Sequence, residues 1–180
     1  MPWKNGGGTT TEIVVEPEAL GLGDRFLYRV SIADVEASGP FSRFDGYDRH
    51  IFLLDGDGMT LSCGEHGVIA LRERMVPRSF PGEWDVRGTL VGGPVRDYNL
   101  IGDRARADSS LGVETLEAPV TYACEPGTTV IVTVLDGVLA GLADRGDTVV
   151  IERPLVLVPT GSTRVVVSTV RRRAVDAAES

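Results

Sequence analysis

Glycine recurs between short runs of β-branched and aromatic residues, and no stretch of about 12 residues carries a 3.6-residue apolar period. The 22 glycines among 180 residues exceed the roughly 7% of an average chain, which favours many strands joined by tight turns. The one helix-friendly stretch, Glu16 to Leu20, has room for a single turn. The chain reads as all-β. Strands are expected at Thr9 to Val15, Phe26 to Ala33, His50 to Leu54, Val68 to Leu71, Trp84 to Leu90, Arg96 to Ile101, Gly112 to Glu117, Thr128 to Leu135, Thr148 to Ile151 and Arg164 to Val170. In the second of these, Phe26, Tyr28, Val30 and Ile32 share one face and Leu27, Arg29, Ser31 and Ala33 the other, so both faces are committed. Several short strands at this spacing suit a barrel or sandwich.

A faint internal repeat sharpens that choice. Ile51-Phe52-Leu53-Leu54-Asp55-Gly56 echoes Ile131-Val132-Thr133-Val134-Leu135-Asp136-Gly137, with the two Asp-Gly pairs 81 positions apart. Phe80-Pro81-Gly82 follows the first pair and Pro159-Thr160-Gly161 the second at similar distances, enough for another two or three strands. Each half is then one small β-barrel. The expected organisation is an N-terminal half over 1–101, a polar, helix-free surface linker over 102–111, a C-terminal half over 112–170 and a polar tail over 171–180.

Charge and composition exclude several partners. A net charge of −8 repels phosphate backbones and anionic lipid, yet leaves room for a local basic pocket. Arg171, Arg172 and Arg173 read as the solvated exit of a strand rather than as a nucleic-acid arm. No stretch approaches the roughly 20 apolar residues of a membrane span, and MPWKNGGG has no apolar signal-peptide core, so a cytoplasmic protein is expected. Cys63 and Cys124 lie in apolar, strand-like surroundings, as reduced structural cysteines do. A homodimer is compatible with all of this.

The most unusual segment is Pro2-Trp3-Lys4-Asn5-Gly6-Gly7-Gly8-Thr9-Thr10-Thr11-Glu12. Its glycines let backbone N–H groups converge on a ligand without Cβ obstruction, while Lys4 and Asn5 add a cation and an amide. Asn5-Gly6 equally suits a hairpin turn, and both readings stand. No phosphate-cradling GxxxxGK[ST] pattern is present. Arg29 and Ser31 alternate onto one strand face, as do Asp97 and Asn99. If those faces point inward, a guanidinium, a hydroxyl, a carboxylate and an amide line the barrel and can orient a small polar ligand. In Ser38 to Arg49 the aromatic residues act as core lids, and Arg49 either pairs with Asp97 or contacts a ligand.

Metal chemistry has little to stand on, because a barrel metalloenzyme usually needs two or three imidazoles from adjacent strands. Only His50 and His66 exist, with no His-x-His pair, and a site would have to recruit Glu65, Cys63 or Cys124. No metal and no cofactor are expected. A hydrolase triad lacks its Gly-x-Ser-x-Gly.

Taken in order, Trp3-Lys4-Asn5-Gly6-Gly7-Gly8-Thr9-Thr10-Thr11-Glu12-Ile13, Arg29-Val30-Ser31-Ile32-Ala33, Gly39-Pro40-Phe41-Ser42, Arg49, Leu54-Asp55-Gly56 and Asp97-Tyr98-Asn99-Leu100 resemble the HutD/Ves family of bacterial proteins. The resemblance runs from residue 2 to about residue 160. It implies a cupin-type double-stranded β-helix with two barrel halves in one chain. It also implies a link to histidine utilisation, through binding of an intermediate such as N-formylglutamate or urocanate rather than catalysis of a step. Carried over, the family's pocket positions fall on Lys4, Asn5, Arg29, Ser31, Ser42, Arg49, Asp97 and Asn99, with Gly7 and Gly8 backing them. Family members usually carry about a dozen residues, forming a strand, ahead of this segment, which implies a native start upstream of Met1 or a missing strand and an unpaired edge.

Three functions follow in order of preference. The first is a non-enzymatic binder that senses or buffers a small carboxylate metabolite. The second is a metal-free isomerase or hydrolase using Asp97 and Lys4 as base and acid, and the third a structural or subunit-interaction role.

Overall fold

The computed structural model describes residues 1–3, 6–17 and 25–174. Lys4, Asn5, residues 18–20 of the helix-friendly stretch and the tail from residue 175 lie outside them. The described residues form fifteen strands and one 3₁₀ turn, Gly64–His66, with no α-helix. Among the described residues no helix is long and apolar enough to cross a membrane. The chain divides into two compact units, Met1–Arg104 and Ala105–Ser180.

The first unit is a pair of sheets around one core. One sheet runs in the order β1 (Gly8–Glu16), β2 (Tyr28–Val35), β9 (Val95–Asp103), β4 (Tyr47–Asp55) and β7 (Arg78–Pro81); the other runs β3 (Gly39–Pro40), β8 (Arg87–Leu90), β5 (Met59–Ser62) and β6 (Val68–Leu71). Ala33, Val35, Ile51, Leu53 and Val95 from the first sheet bury against Met59, Leu61 and Leu71 from the second. Both faces of β2 are committed, since Tyr28, Val30, Ser31 and Ala33 are all buried.

The second unit repeats this plan. Its main sheet runs β10 (Ala107–Leu116), β15 (Thr163–Arg172), β12 (Thr128–Asp136) and β13 (Thr148–Ile151), beside the pair β11 (Val120–Tyr122) and β14 (Leu155–Leu157). The order β10-β15-β12-β13 matches β2-β9-β4-β7. The sequence repeat falls on equivalent strands, for β4 and β12 each carry a bulge at the same offset, between Leu53 and Asp55 and between Val134 and Asp136. A glycine then ends each strand with positive φ, +102° at Gly56 and +87° at Gly137. A Cβ there would stand 2.7 Å from the Pro94 carbonyl oxygen in one unit and 2.9 Å from the Thr163 Cα in the other. The repeat therefore records one constraint met twice: a left-handed turn pressed against the start of a neighbouring strand.

The ten expected strands all exist, and five further ones, β3, β5, β7, β11 and β14, are two to four residues long. In so short a run alternation cannot be told from chance. Trp84 to Leu90 begins as a turn, with the Trp84 N–H donating to the Pro81 carbonyl, and becomes strand only at Arg87. Residues 102–111, expected as a surface linker, are the end of β9, a turn and the start of β10. Their polarity has a different cause. On β10, Asp108 and Ser110 alternate onto the exposed face, and Asp108 accepts from Arg173 Nη2 at 2.6 Å. Arg171 and Arg172, assigned to the tail, complete β15.

Candidate functional site

A cavity of about 660 Å³ opens in the first unit. Antiparallel partners project to the same side of a sheet, and the register places Ser31 opposite Asn99, Ala33 opposite Asp97, and both Arg29 and Arg49 opposite Ile101. The polar residues that alternate along β2, β9 and β4 therefore meet on one inner face. On β1, Thr10 pairs with Ala33 and Glu12 with Ser31 ahead of a bulge, which brings both to the cavity as well. Phe41, Ser42 and Phe44 from the chain after β3 supply another wall. Trp3 adds to it, with its indole N–H donating to Thr10 Oγ1 at 2.8 Å.

Arg49 is nearly enclosed, at 6% exposure. Its Nη1 donates to the Ser42 carbonyl at 3.1 Å and its Nη2 to Asn99 Oδ1 at 3.3 Å. The guanidinium lies 5.1, 5.2 and 5.5 Å from the ring centres of Phe41, Phe80 and Phe44, a geometry that lets aromatic faces offset part of the cost of burying charge. Arg29 sits likewise beside Phe44 and Phe26, at 5.1 and 5.4 Å. Asn99 is the centre of the polar network: its oxygen accepts from Arg49, and its amide nitrogen donates to Asp97 Oδ1. These two partners set the orientation of the Asn99 amide. The expected choice for Arg49, an ion pair with Asp97 or a ligand contact, takes a third form, because Asn99 stands between the two charges.

Three buried polar atoms of this network have no partner among the described residues: Arg29 Nε, Arg49 Nε and Asp97 Oδ2. Neither arginine takes part in an ion pair there, although Arg25, Arg74, Arg96 and Arg104 all do. Burial lowers the Arg49 pKa to about 10, with Asp97 opposing the shift and Arg29 adding to it. Burial likewise lowers that of Arg29, against the attraction of Glu12 and Tyr47. For Asp97 burial dominates and pushes the carboxyl up to about 7, despite the Asn99 hydrogen bond and the Arg49 charge. The site thus presents a protonated Arg49 beside a carboxyl that burial shifts toward its neutral form.

Of the expected site residues, Arg29, Ser31, Ser42, Arg49, Asp97 and Asn99 line this cavity. Gly7 and Gly8 are not among its lining residues. The Gly7 carbonyl instead accepts the N–H groups of Glu36 and Ala37, and Gly8 lies so near β2 that a Cβ would stand 2.2 Å from the Asp34 oxygen. The glycines thus serve the turn and the strand pairing, because β1 must approach β2 closely there. Lys4 and Asn5 are outside the described residues. Glu12, Thr10 and Trp3 were not expected in the site, although the two-residue spacing of Thr10 and Glu12 matches that of Arg29 and Ser31.

The histidines lie elsewhere. His50 Nδ1 is 2.7 Å from Ser79 Oγ, and the His66 ring stacks on Trp84 at 4.2 Å. Among the described residues no three metal-ligating side chains converge. Cys63 and Cys124 are unbridged.

Among its described residues the second unit offers no counterpart to the polar face. The shared bulge register places Val130 where the first unit has Arg49, Val165 for Asp97 and Val167 for Asn99. All three valines belong to that unit's buried core.

A family model described as HutD matches residues 1–172. The chain belongs to the HutD family. Among curated relatives, an uncharacterised 21.2 kDa protein in the hutC 3′ region of Pseudomonas putida is 48% identical over 101 residues, 56% of this chain and 52% of that protein. Protein Ves of Citrobacter koseri is 35% identical over 112 residues, 62% of this chain and 56% of that one. The chain spans about half the length of the curated relatives it matches. The solved structure of HutD from Pseudomonas fluorescens SBW25 superposes with a TM-score of 0.80 at 32% identity, covering 97% of this chain and 94% of that one. A cupin 2 conserved barrel domain protein from Leptotrichia buccalis shares the fold alone, with a TM-score of 0.50 at 10% identity over 92% of this chain and 89% of that one. The fold is thus the all-β cupin fold.

Proposed function

We propose that this HutD-family chain binds a small carboxylate metabolite in the cavity of its first unit and senses or buffers it without transforming it. One observation carries the reading. Arg29 and Arg49 share a cavity, each with a buried Nε lacking an acceptor, and neither has a carboxylate partner among the described residues. Burying a cation without an ion-paired counter-charge is unfavourable, and an incoming carboxylate supplies that charge. The volume falls in the range of small-molecule pockets, and Ser31 and Asn99 offer the neutral polar groups that set orientation. Lys4 and Asn5 join the site on the family pattern alone.

Histidine degradation is the metabolic setting we favour. The P. putida relative is described by its place beside hutC, and the P. fluorescens structure bears the HutD name. N-formylglutamate and urocanate are accordingly the first ligands to try, with glutamate and histidine as controls. We assign the protein to the cytoplasm, in keeping with two unbridged cysteines. Thermal shift with each compound tests binding, and mass analysis of the ligand after incubation tests chemistry. A shift with unchanged ligand supports the binder. No shift with any carboxylate overturns it. Conversion of the ligand would favour the metal-free enzyme reading, for which the near-neutral Asp97 is the base of choice.

A further inference from the structure

We infer that carboxylate binding in this cavity is coupled to proton uptake by Asp97, so that the site takes its ligand together with a proton. The inference rests on the carboxylate-binding reading and adds a regulatory property to it. Its basis is the placement of Asp97. The residue is 1% exposed and lines the cavity, with Oδ1 held by Asn99 and Oδ2 without a partner among the described residues. The groups around it come from three other strands. Arg49 on β4 reaches the same Asn99 amide. Arg29 on β2 and Glu12 on β1 line the same cavity. Asp34, next to the cross-strand partner of Asp97 on β2, is held in an ion pair with Arg96 at 2.7 Å.

Against burial, the hydrogen bond from Asn99 is the largest influence that favours the ionised form of Asp97, and the attraction of the Arg49 charge comes next. A ligand carboxylate that accepts from Arg49 and Arg29 neutralises that attraction and adds a negative charge of its own. Both effects raise the proton affinity of Asp97. Linkage then requires the converse: protonating Asp97 strengthens ligand binding by the same factor. Because the free carboxyl titrates near neutrality, the coupling operates within the pH range of a cell. Binding weakens as pH rises above about 7, by a factor that approaches tenfold per pH unit where a full proton is taken up. A neutral isostere at this position removes the coupling.

Calorimetric titration with N-formylglutamate and, in parallel, with formate tests this. Titrations at pH 7.5 in Tris and in MOPS, which differ in ionisation enthalpy, count the protons exchanged per ligand bound. The expected result is net uptake of about half a proton or more in the wild type, none in Asp97→Asn, and a Kd that rises with pH in the first protein alone. The ¹³C resonance of the Asp97 carboxyl should also titrate near neutrality in the empty protein and remain protonated to higher pH with ligand. Binding with no buffer-dependent heat and no shift of that resonance overturns the coupling while leaving the carboxylate site intact. Absence of binding by both probes overturns the two together.

Discussion

Replacing Asp97 with asparagine should remove a pH-dependent loss of stability from the empty protein. In the unfolded chain the carboxyl ionises near 3.8, whereas burial holds it neutral up to about 7 in the fold. A carboxyl raised in the folded state contributes stability that is fully present below about 3.8. That contribution is lost as pH climbs toward about 7 and changes no further above it. At about 1.36 kcal/mol per pH unit, the distance between the two values is worth about 4 kcal/mol. Asparagine keeps the shape and can still accept from Asn99 through Oδ1, but cannot ionise. The stability of the variant relative to wild type should therefore grow by about 2–3 kcal/mol between pH 5 and pH 8. At a urea dependence of about 2 kcal/mol per molar this is a relative midpoint change of about 1 M. Trp3 and Trp84 are the two tryptophans and both lie in Met1–Arg104, so fluorescence follows the unit that carries the mutation. Parallel stability curves for the two proteins would refute the reasoning, since Asp97 would then ionise in the cavity as it does in water.

Three further outcomes are expected. A ligand at a hundredfold excess over its Kd should stabilise the wild type by about 2.7 kcal/mol, a thermal shift of roughly 5–10 °C, and Arg29→Met should abolish that shift while moving the ligand-free melting point little; an undiminished shift would remove Arg29 from the site. Glu12→Gln deletes the negative charge that opposes an incoming carboxylate and should tighten binding about two- to fivefold, by calorimetry at low salt; weaker binding would mean that Glu12 holds the ligand. Gly8→Ala forces a Cβ to within 2.2 Å of the Asp34 oxygen and should cost about 1–3 kcal/mol, whereas Gly112→Ala, where nothing lies within 4 Å, should be near neutral; equal melting points for the two variants would contradict the close approach of β1 and β2.

Much of the site is legible in the sequence because its residues alternate. Arg29 with Ser31 and Asp97 with Asn99 are two apart on strands whose intervening residues are apolar, so each pair must share a face. What alternation cannot supply is register. That Glu12 meets Ser31, and that Asn99 stands between Arg49 and Asp97, depends on which strands pair and by how many residues they slide. The near-neutral titration of Asp97 follows from its burial, a property of the assembled sheet. The glycine-rich segment misleads for a related reason: close approach to a ligand and close approach to a neighbouring strand demand the same residue, and at Gly8 the neighbour is β2. The repeat is read more surely, since Asp55-Gly56 and Asp136-Gly137 mark equivalent bulges and turns in both units.

A structure of the protein soaked separately with N-formylglutamate and with urocanate tests the central claim most directly. The account predicts one ligand per chain, its carboxylate within hydrogen-bonding distance of Arg29 and Arg49, and nothing bound at the valine-lined counterpart of Val130, Val165 and Val167. A cavity that holds only water at saturating concentrations of both acids, or a ligand whose carboxylate avoids both arginines, would contradict it.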